Sequence, residues 1–236
     1  NLPLPVLSHA DVLPMPLIDP ARLLPLLADC VGRFDVDALD DIDSTNSEAM
    51  RRGDAGAPSG LVVVADRQSA GRGRRGRGWV STPEASLTFS LLWRFSGPPT
   101  GLAGLSLAIG VAIAEALESL GARGVALKWP NDVLLQTGAG QAKLSGVLVE
   151  LSSDRRGTLA IIGIGLNLQT PTGELMQPAS GLDQALDPMP DRHQLLAALL
   201  RALAKTLDRF AAEGFAAQRD HWQRRHAWQD MPVQLL

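Results

Sequence analysis

Residues 125–169 read VALKWPNDVLLQTGAGQAKLSGVLVELSSDRRGTLAIIGIGLNLQ, and the fold class turns on how this stretch divides. Apolar and β-branched runs alternate with turn-forming clusters, so VALKWP, DVLLQ, KLSGVLVELSS and LAIIGIGLNLQ are expected as four consecutive strands. TGAGQ and DRRGT, lying between them, are hairpin turns, which makes the sheet at least partly antiparallel. Upstream, GLVVVAD (60–66) and SLTFSLLWRF (86–95) add two more strands. LAGLSLAIGVAIAEALESL (102–120) has apolar residues at helical spacing and few charges, as expected of a helix buried against a sheet. The expected class is α+β, with a mixed, largely antiparallel sheet packed with helices.

The remaining chain falls around this centre. Residues 1–20 are proline-rich and expected as an extended arm, and 21–33 as a short helix with an internal proline. The acidic run DVDALDDID is expected as a solvated edge strand or turn. In STNSEAMRRGD, Thr45 and Glu48 stand at capping-box spacing with Gly53 as a helix stop. Two helical patterns, 191–213 and 215–227, follow, interrupted by Gly214, with Trp222 and Trp228 expected as packing residues. DMPVQLL then starts what reads as another strand. The expected organisation is an arm and short helix (1–40), one main domain (41–228) and the beginning of a further, truncated domain (229–236).

Composition bounds the function. With 236 residues, 45% of them hydrophobic, the chain can bury a sizeable core. Its net charge is −3, so basic segments are local features rather than one face of a nucleic-acid binder. Cys30 is the single cysteine, no run approaches the roughly 18 uninterrupted apolar residues of a membrane span, and the N-terminus is a poor signal peptide. A reducing cytoplasm is expected. The first residue is not methionine, which suggests that the chain begins inside a longer one.

Five short stretches carry chemistry. QSAGRGRRGRGW (68–79) sets four arginines among glycines, giving planar charged donors on a backbone that can approach a ligand closely. It is neither a Walker loop nor a dinucleotide fingerprint, and by itself it fits a nucleic-acid contact as well as a small-anion site. In KWPND, Pro130 ends a strand that delivers Lys128 and Trp129, and Asn131 and Asp132 are oxygen ligands suited to magnesium; a simple strand end with a turn fits the same spacing. In KLSGVLVE, Lys143 starts an apolar strand and needs an anion if buried, while Gly146 leaves room for a ligand. GIGLN (163–167) fits either a ligand-facing strand ending in Asn167 or a β-bulge. Ser44, Thr45 and Asn46 cap a helix or bind a neutral polar group. The four histidines lack metal-ligand spacing, and no serine-hydrolase or CxxC motif occurs.

In chain order, STN, QSAGRGRRGRGW, KWPND, KLSGVLVE and GIGLN resemble the biotin protein ligases, or biotin–[acetyl-CoA-carboxylase] ligases, over residues 43–168, and DMPVQLL is similar to the first strand of that family's small C-terminal SH3-like barrel. The resemblance implies a class II aminoacyl-tRNA synthetase-like catalytic domain. It implies that biotin and ATP, with Mg²⁺, give biotinoyl-5′-AMP, from which a lysine of the biotin carboxyl carrier protein of acetyl-CoA carboxylase takes the biotinoyl group. Carried over by position, Ser44, Thr45, Asn46 and Gln68 bind biotin, Gly71, Arg72, Gly73 and Arg74 close over it, and Lys143 sits at the carboxylate and acyl-phosphate, with Gly146 beneath the biotin. Lys143 and Arg74 are the catalytic assignments. Arg77, Trp79, Lys128, Asn131 and Asn167 are assigned to ATP, and Asp132 with Asn131 to the metal; Arg75 is unassigned. About forty residues precede STN, too few for a winged helix and linker, so DNA binding is not expected. Oligomeric state is open, a homodimer included. The rival readings are a lipoate or octanoate ligase on the same fold and a noncatalytic RNA-binding module.

Overall fold

A computed structural model describes residues 16–173 and 177–231. The expected arm at 1–15, and the strand expected at 230–236 beyond its first two residues, lie outside the described residues. Among these, seven strands form one open sheet in the order β1-β2-β3-β7-β6-β5-β4. The strands are β1 (Asp35–Ile42), β2 (Leu61–Gln68), β3 (Ser86–Phe95), β4 (Val125–Lys128), β5 (Asp132–Thr137), β6 (Gly140–Asp154) and β7 (Gly157–Asn167). Only β1 and β2 pair in parallel, and every other pairing is antiparallel, as the hairpin turns require. The acidic run is therefore an edge strand, β1.

Residue alternation separates the two faces of β3. Leu87, Phe89 and Leu91 enter the main core, packing with Ile162, Ile164 and Leu166 of β7 beneath α3 (Leu105–Ser119) and α4 (Arg192–Glu213). The segment Pro99–Ser119 is apolar and long enough to cross a bilayer, yet α3 lies buried in this core. Burying Ile109, Ile113 and Leu117 completely stabilises the layer by roughly 1.5–3 kcal/mol per side chain. The opposite face carries a smaller cluster of Ala49, Leu61, Val63, Leu92, Leu159 and Ile161 under α2 (Thr45–Asp54). Toward the other end of that face the apolar side chains give way to glycine, serine and threonine.

Several local expectations are corrected. Helix α2 begins one residue earlier than a Thr45–Glu48 capping box needs: Ser44 is the N-cap, with no capping bond from its side chain. Thr45 turns inward, and Glu48 instead accepts from Arg51 and Arg52. Asp43 holds the helix start, accepting from the Ser44 amide and from both terminal nitrogens of Arg51; the guanidinium first and the amide second hold its carboxyl down at about 2. Gly53 does not stop the helix; it lies inside the last turn, where a methyl group would stand 2.6 Å from Leu159. The short N-terminal helix is α1 (Pro20–Leu23) followed by a 3₁₀ stretch through its proline, Leu24–Cys30. The pattern at 215–227 breaks into a 3₁₀ turn, Gly214–Gln218, and the short α5 (Arg219–Gln223).

Candidate active site

Sheet register assembles the site. Directly opposed residues in antiparallel strands share a face, and successive pairings link Thr88 to Gly165, Gly165 to Gly146, Gly146 to Asp132, and Asp132 to Lys128. Residues from three of the five motifs thus stand in one row across five strands, about 19 Å long at roughly 4.8 Å per strand. A neighbouring row links Ser90, Gly163 and Leu148. Above both rows lies a cavity of about 740 Å³.

The glycines of the two rows form a floor. A methyl group at Gly163 would overlap Asn46 Oδ1, and one at Gly165 would overlap the indole of Trp79. No register slip interrupts β7 at these glycines, so the β-bulge alternative for GIGLN does not hold. The bulge is in β6, where pairing with β5 jumps from Val133–Ser145 to Leu134–Lys143. One extra residue reverses the alternation: Leu144 is buried in the core, and Lys143 emerges on the cavity side with Gly146. Its Nζ lies 2.8 Å from Asp132 Oδ1, an ion pair between two largely buried side chains.

One end of the cavity is closed by a buried polar cluster. Gln68 Oε1 accepts from both the amide and the hydroxyl of Thr45, at 2.8 and 3.1 Å. Asn46 donates to Glu150 Oε2 at 2.9 Å, so its carboxamide oxygen faces Ser90, whose hydroxyl donates to it. Ser90 also lies 2.8 Å from the Thr45 hydroxyl and is completely buried. Sequence reasoning missed Ser90. Replacing it with alanine should leave Asn46 Oδ1 without its donor and free Thr45, costing about 1–2 kcal/mol of stability and roughly tenfold in ligand affinity at this end; thermal unfolding and calorimetric titration check both.

The arginine–glycine loop is a built hairpin over the cavity. Trp79 N donates to Gly71 O at 2.9 Å, Gly73 N to Arg77 O at 2.7 Å, and Arg72 bridges to Gly78. Gly71 is obligatory at this neck, because a methyl group would overlap the Trp79 carbonyl oxygen. It belongs to the outer side of the loop and does not line the main cavity, unlike the other residues of the site assignment. Arg72 donates to Glu150 Oε2 at 2.6 Å, tying the loop to β6. Arg75, at a positive φ of 57°, turns the tip, with Arg74 and Arg77 beside it. The loop is clasped at its neck and at Arg72.

The pattern over residues 39–167, more than half of the chain, matches the biotin/lipoate A/B protein ligase family. The chain belongs to that family. It is 39% identical over 215 residues to the bifunctional ligase/repressor BirA of Escherichia coli (strain K12), covering 87% of this chain and 64% of that protein. It is 35% identical over 203 residues to the biotin–[acetyl-CoA-carboxylase] ligase of Paracoccus denitrificans, covering 81% and 80% respectively. It thus spans less than two thirds of the length of the E. coli relative. In fold it is similar to the biotin protein ligase from Aquifex aeolicus in complex with biotin and ATP, with a TM-score of 0.67 and 31% identity over 82% of this chain and 79% of that one.

Within this family fold, the contacts of two assigned residues stand out. Trp79, assigned to the nucleotide, lies over Gly165 and Gly146, with Lys143 Nζ 5.9 Å from its ring and its buried indole nitrogen lacking a partner. Asn167 lines the cavity, but its amide nitrogen donates to the Lys143 and Ser180 carbonyls and so holds the backbone under the lysine. Asn131 similarly donates to Val147 O, leaving its oxygen available. Among the described residues no group of three or more histidine, cysteine or acidic side chains gathers as a metal cage. The Asp132 carboxylate and the Asn131 carboxamide oxygen are the hard oxygen donors suited to a magnesium ion held mainly by phosphates and water.

Proposed function

We propose that this protein is an ATP-dependent biotin protein ligase. A biotin carboxylate oxygen attacks the α-phosphorus of ATP, the bond to pyrophosphate breaks, and biotinoyl-5′-AMP forms. A lysine amine of a biotin carboxyl carrier domain, of the kind found in acetyl-CoA carboxylase, then attacks the acyl carbon and AMP leaves. Two anions must meet in the first step, so fixed cations serve better than a nucleophile. Lys143, on the cavity side of β6 with Gly146, supplies one, and the lid arginines supply others. Asp132 and Asn131 would hold Mg²⁺ entering with ATP, and the ion would neutralise charge on the phosphates. The free, buried Cys30 fits a reducing compartment, and no contact with DNA enters the reaction.

The observation that carries this reading is the polar cluster of Thr45, Asn46, Gln68 and Ser90 at the closed end. A cyclic urea can hydrogen-bond there. A lipoyl or octanoyl tail would leave those groups buried against hydrocarbon, a loss that discriminates strongly between ligands. The relatives named as biotin–[acetyl-CoA-carboxylase] ligases support the same choice. Incubation with ATP, Mg²⁺, biotin and a purified carrier domain should add one biotinoyl group per carrier lysine. An unmodified carrier would count against the transfer step.

The lid retains the reactive anhydride and keeps water from it. Arg74→Gly removes one charged donor over the ligand, and the loss of about 1.5–3 kcal/mol for such a bond should speed biotinoyl-AMP release some ten- to hundredfold. Stopped-flow measurement of release reads this directly; an unchanged off-rate would remove Arg74 from the lid's function.

A further inference from the structure

We infer that Trp228 is a positioning residue that aims Lys128 at the polyphosphate of a bound nucleoside triphosphate. The inference rests on the ligase reading above and extends it to a segment after the last helix. There the chain returns to the open edge of the sheet: Leu127 N donates to Arg225 O at 2.7 Å, and Ala227 N donates to Leu127 O at 2.9 Å. His226 thereby bridges in parallel to Leu127, the residue immediately before Lys128. Two side chains fasten this strap: Arg225 forks onto Glu118 at 2.9 and 2.7 Å, and Gln141 donates to the Ala227 carbonyl. Aromatic packing then sets the last ring. His226 stacks on Trp222 at 4.6 Å and meets Trp228 edge-on at 6.2 Å.

The consequence falls on Lys128. Its Nζ lies 5.4 Å from the centre of the Trp228 ring, within range of a cation–π contact, and the side chain lines the cavity at one end of the register row. The other paired cations of the cavity are each met by a carboxylate, Lys143 by Asp132 and Arg72 by Glu150. Asp132 is also the register partner of Lys128, but its carboxylate is turned to Lys143. Among the described residues Lys128 makes no ion pair. An indole face holds an ammonium in place without neutralising it, so the full charge is offered to an incoming polyanion.

Calorimetric titration of the whole chain with ATP and Mg²⁺, and separately with biotin, tests this. Trp228→Leu keeps an apolar side chain but removes the π face, and it should raise the ATP Kd about fivefold while biotin Kd stays within about twofold. Trp228→Phe should recover most of the loss. In a Lys128→Ala background, Trp228→Leu should have no further effect on ATP. Unchanged ATP affinity in Trp228→Leu, or an equal loss in the Lys128→Ala background, would overturn the inference while leaving the ligase reading intact. Wild-type protein that binds no ATP would sink both.

Discussion

Lys143→Ala should lower biotin-dependent pyrophosphate release about a thousandfold, the scale for removing a preorganised charge from a transition state. The reason is positional. The bulge in β6 turns Lys143 into the cavity, Asn167 fixes its backbone carbonyl, and Asp132 stands 2.8 Å from its ammonium. The other lysine lining the cavity, Lys128, lies two strands away on β4. Removing the ammonium also leaves the half-buried Asp132 to repel an incoming carboxylate. Lys143→Arg should recover only a small part of the rate, because its planar head cannot take the place of a compact ammonium. Steady-state kinetics with pyrophosphate detection distinguishes these outcomes, and near-normal turnover of the alanine variant would take Lys143 out of the reaction.

Gly163→Ala carries the other large effect. The new methyl group overlaps the Asn46 carboxamide oxygen, and Asn46 cannot swing away cheaply: it is buried, bonded to Ser90, and donating to Glu150. Overpacking of this kind costs about 1–3 kcal/mol of stability. Displacement of Asn46 should weaken biotin binding by roughly a hundredfold, since the displaced group leaves buried partners unsatisfied. Gly138→Ala is the control, because a methyl group there meets nothing within 4 Å. Equal biotin affinity in the two variants would contradict the glycine floor.

Much of this architecture is legible in the chain, for physical reasons that differ by element. Strands β3 to β7 announce themselves because hairpin turns must be short and apolar runs must be buried. The motifs around Thr45, Arg72, Asp132, Lys143 and Asn167 do line one cavity, brought there by register across the sheet. What escaped detection depends on pairing between distant segments. Strict alternation from Gly146 would point Lys143 into the core, and nothing local reveals the bulge at Leu144 that reverses it. The Arg72–Glu150 tie spans 78 residues. Thr45 resembled a cap because its hydroxyl could serve either the helix or Gln68, and the tertiary partner prevails. Ser90, by contrast, left a signal. Ser86, Thr88 and Ser90 alternate with Leu87, Phe89 and Leu91, so β3 has a polar face even though every one of these residues is buried. A buried polar stripe opposite glycines is the mark of a ligand floor.

The most direct test of the central claim is a single incubation followed by mass spectrometry. The protein is mixed with ATP, Mg²⁺ and equimolar biotin, lipoate and octanoate, and the acyl-adenylates that it retains are identified. Biotinoyl-5′-AMP should be the dominant species, with the lipoyl and octanoyl adenylates at least about a hundredfold less abundant, on the order expected when a polar site rejects a ligand that cannot satisfy it. Lipoyl- or octanoyl-AMP in equal or greater amount would contradict the central claim.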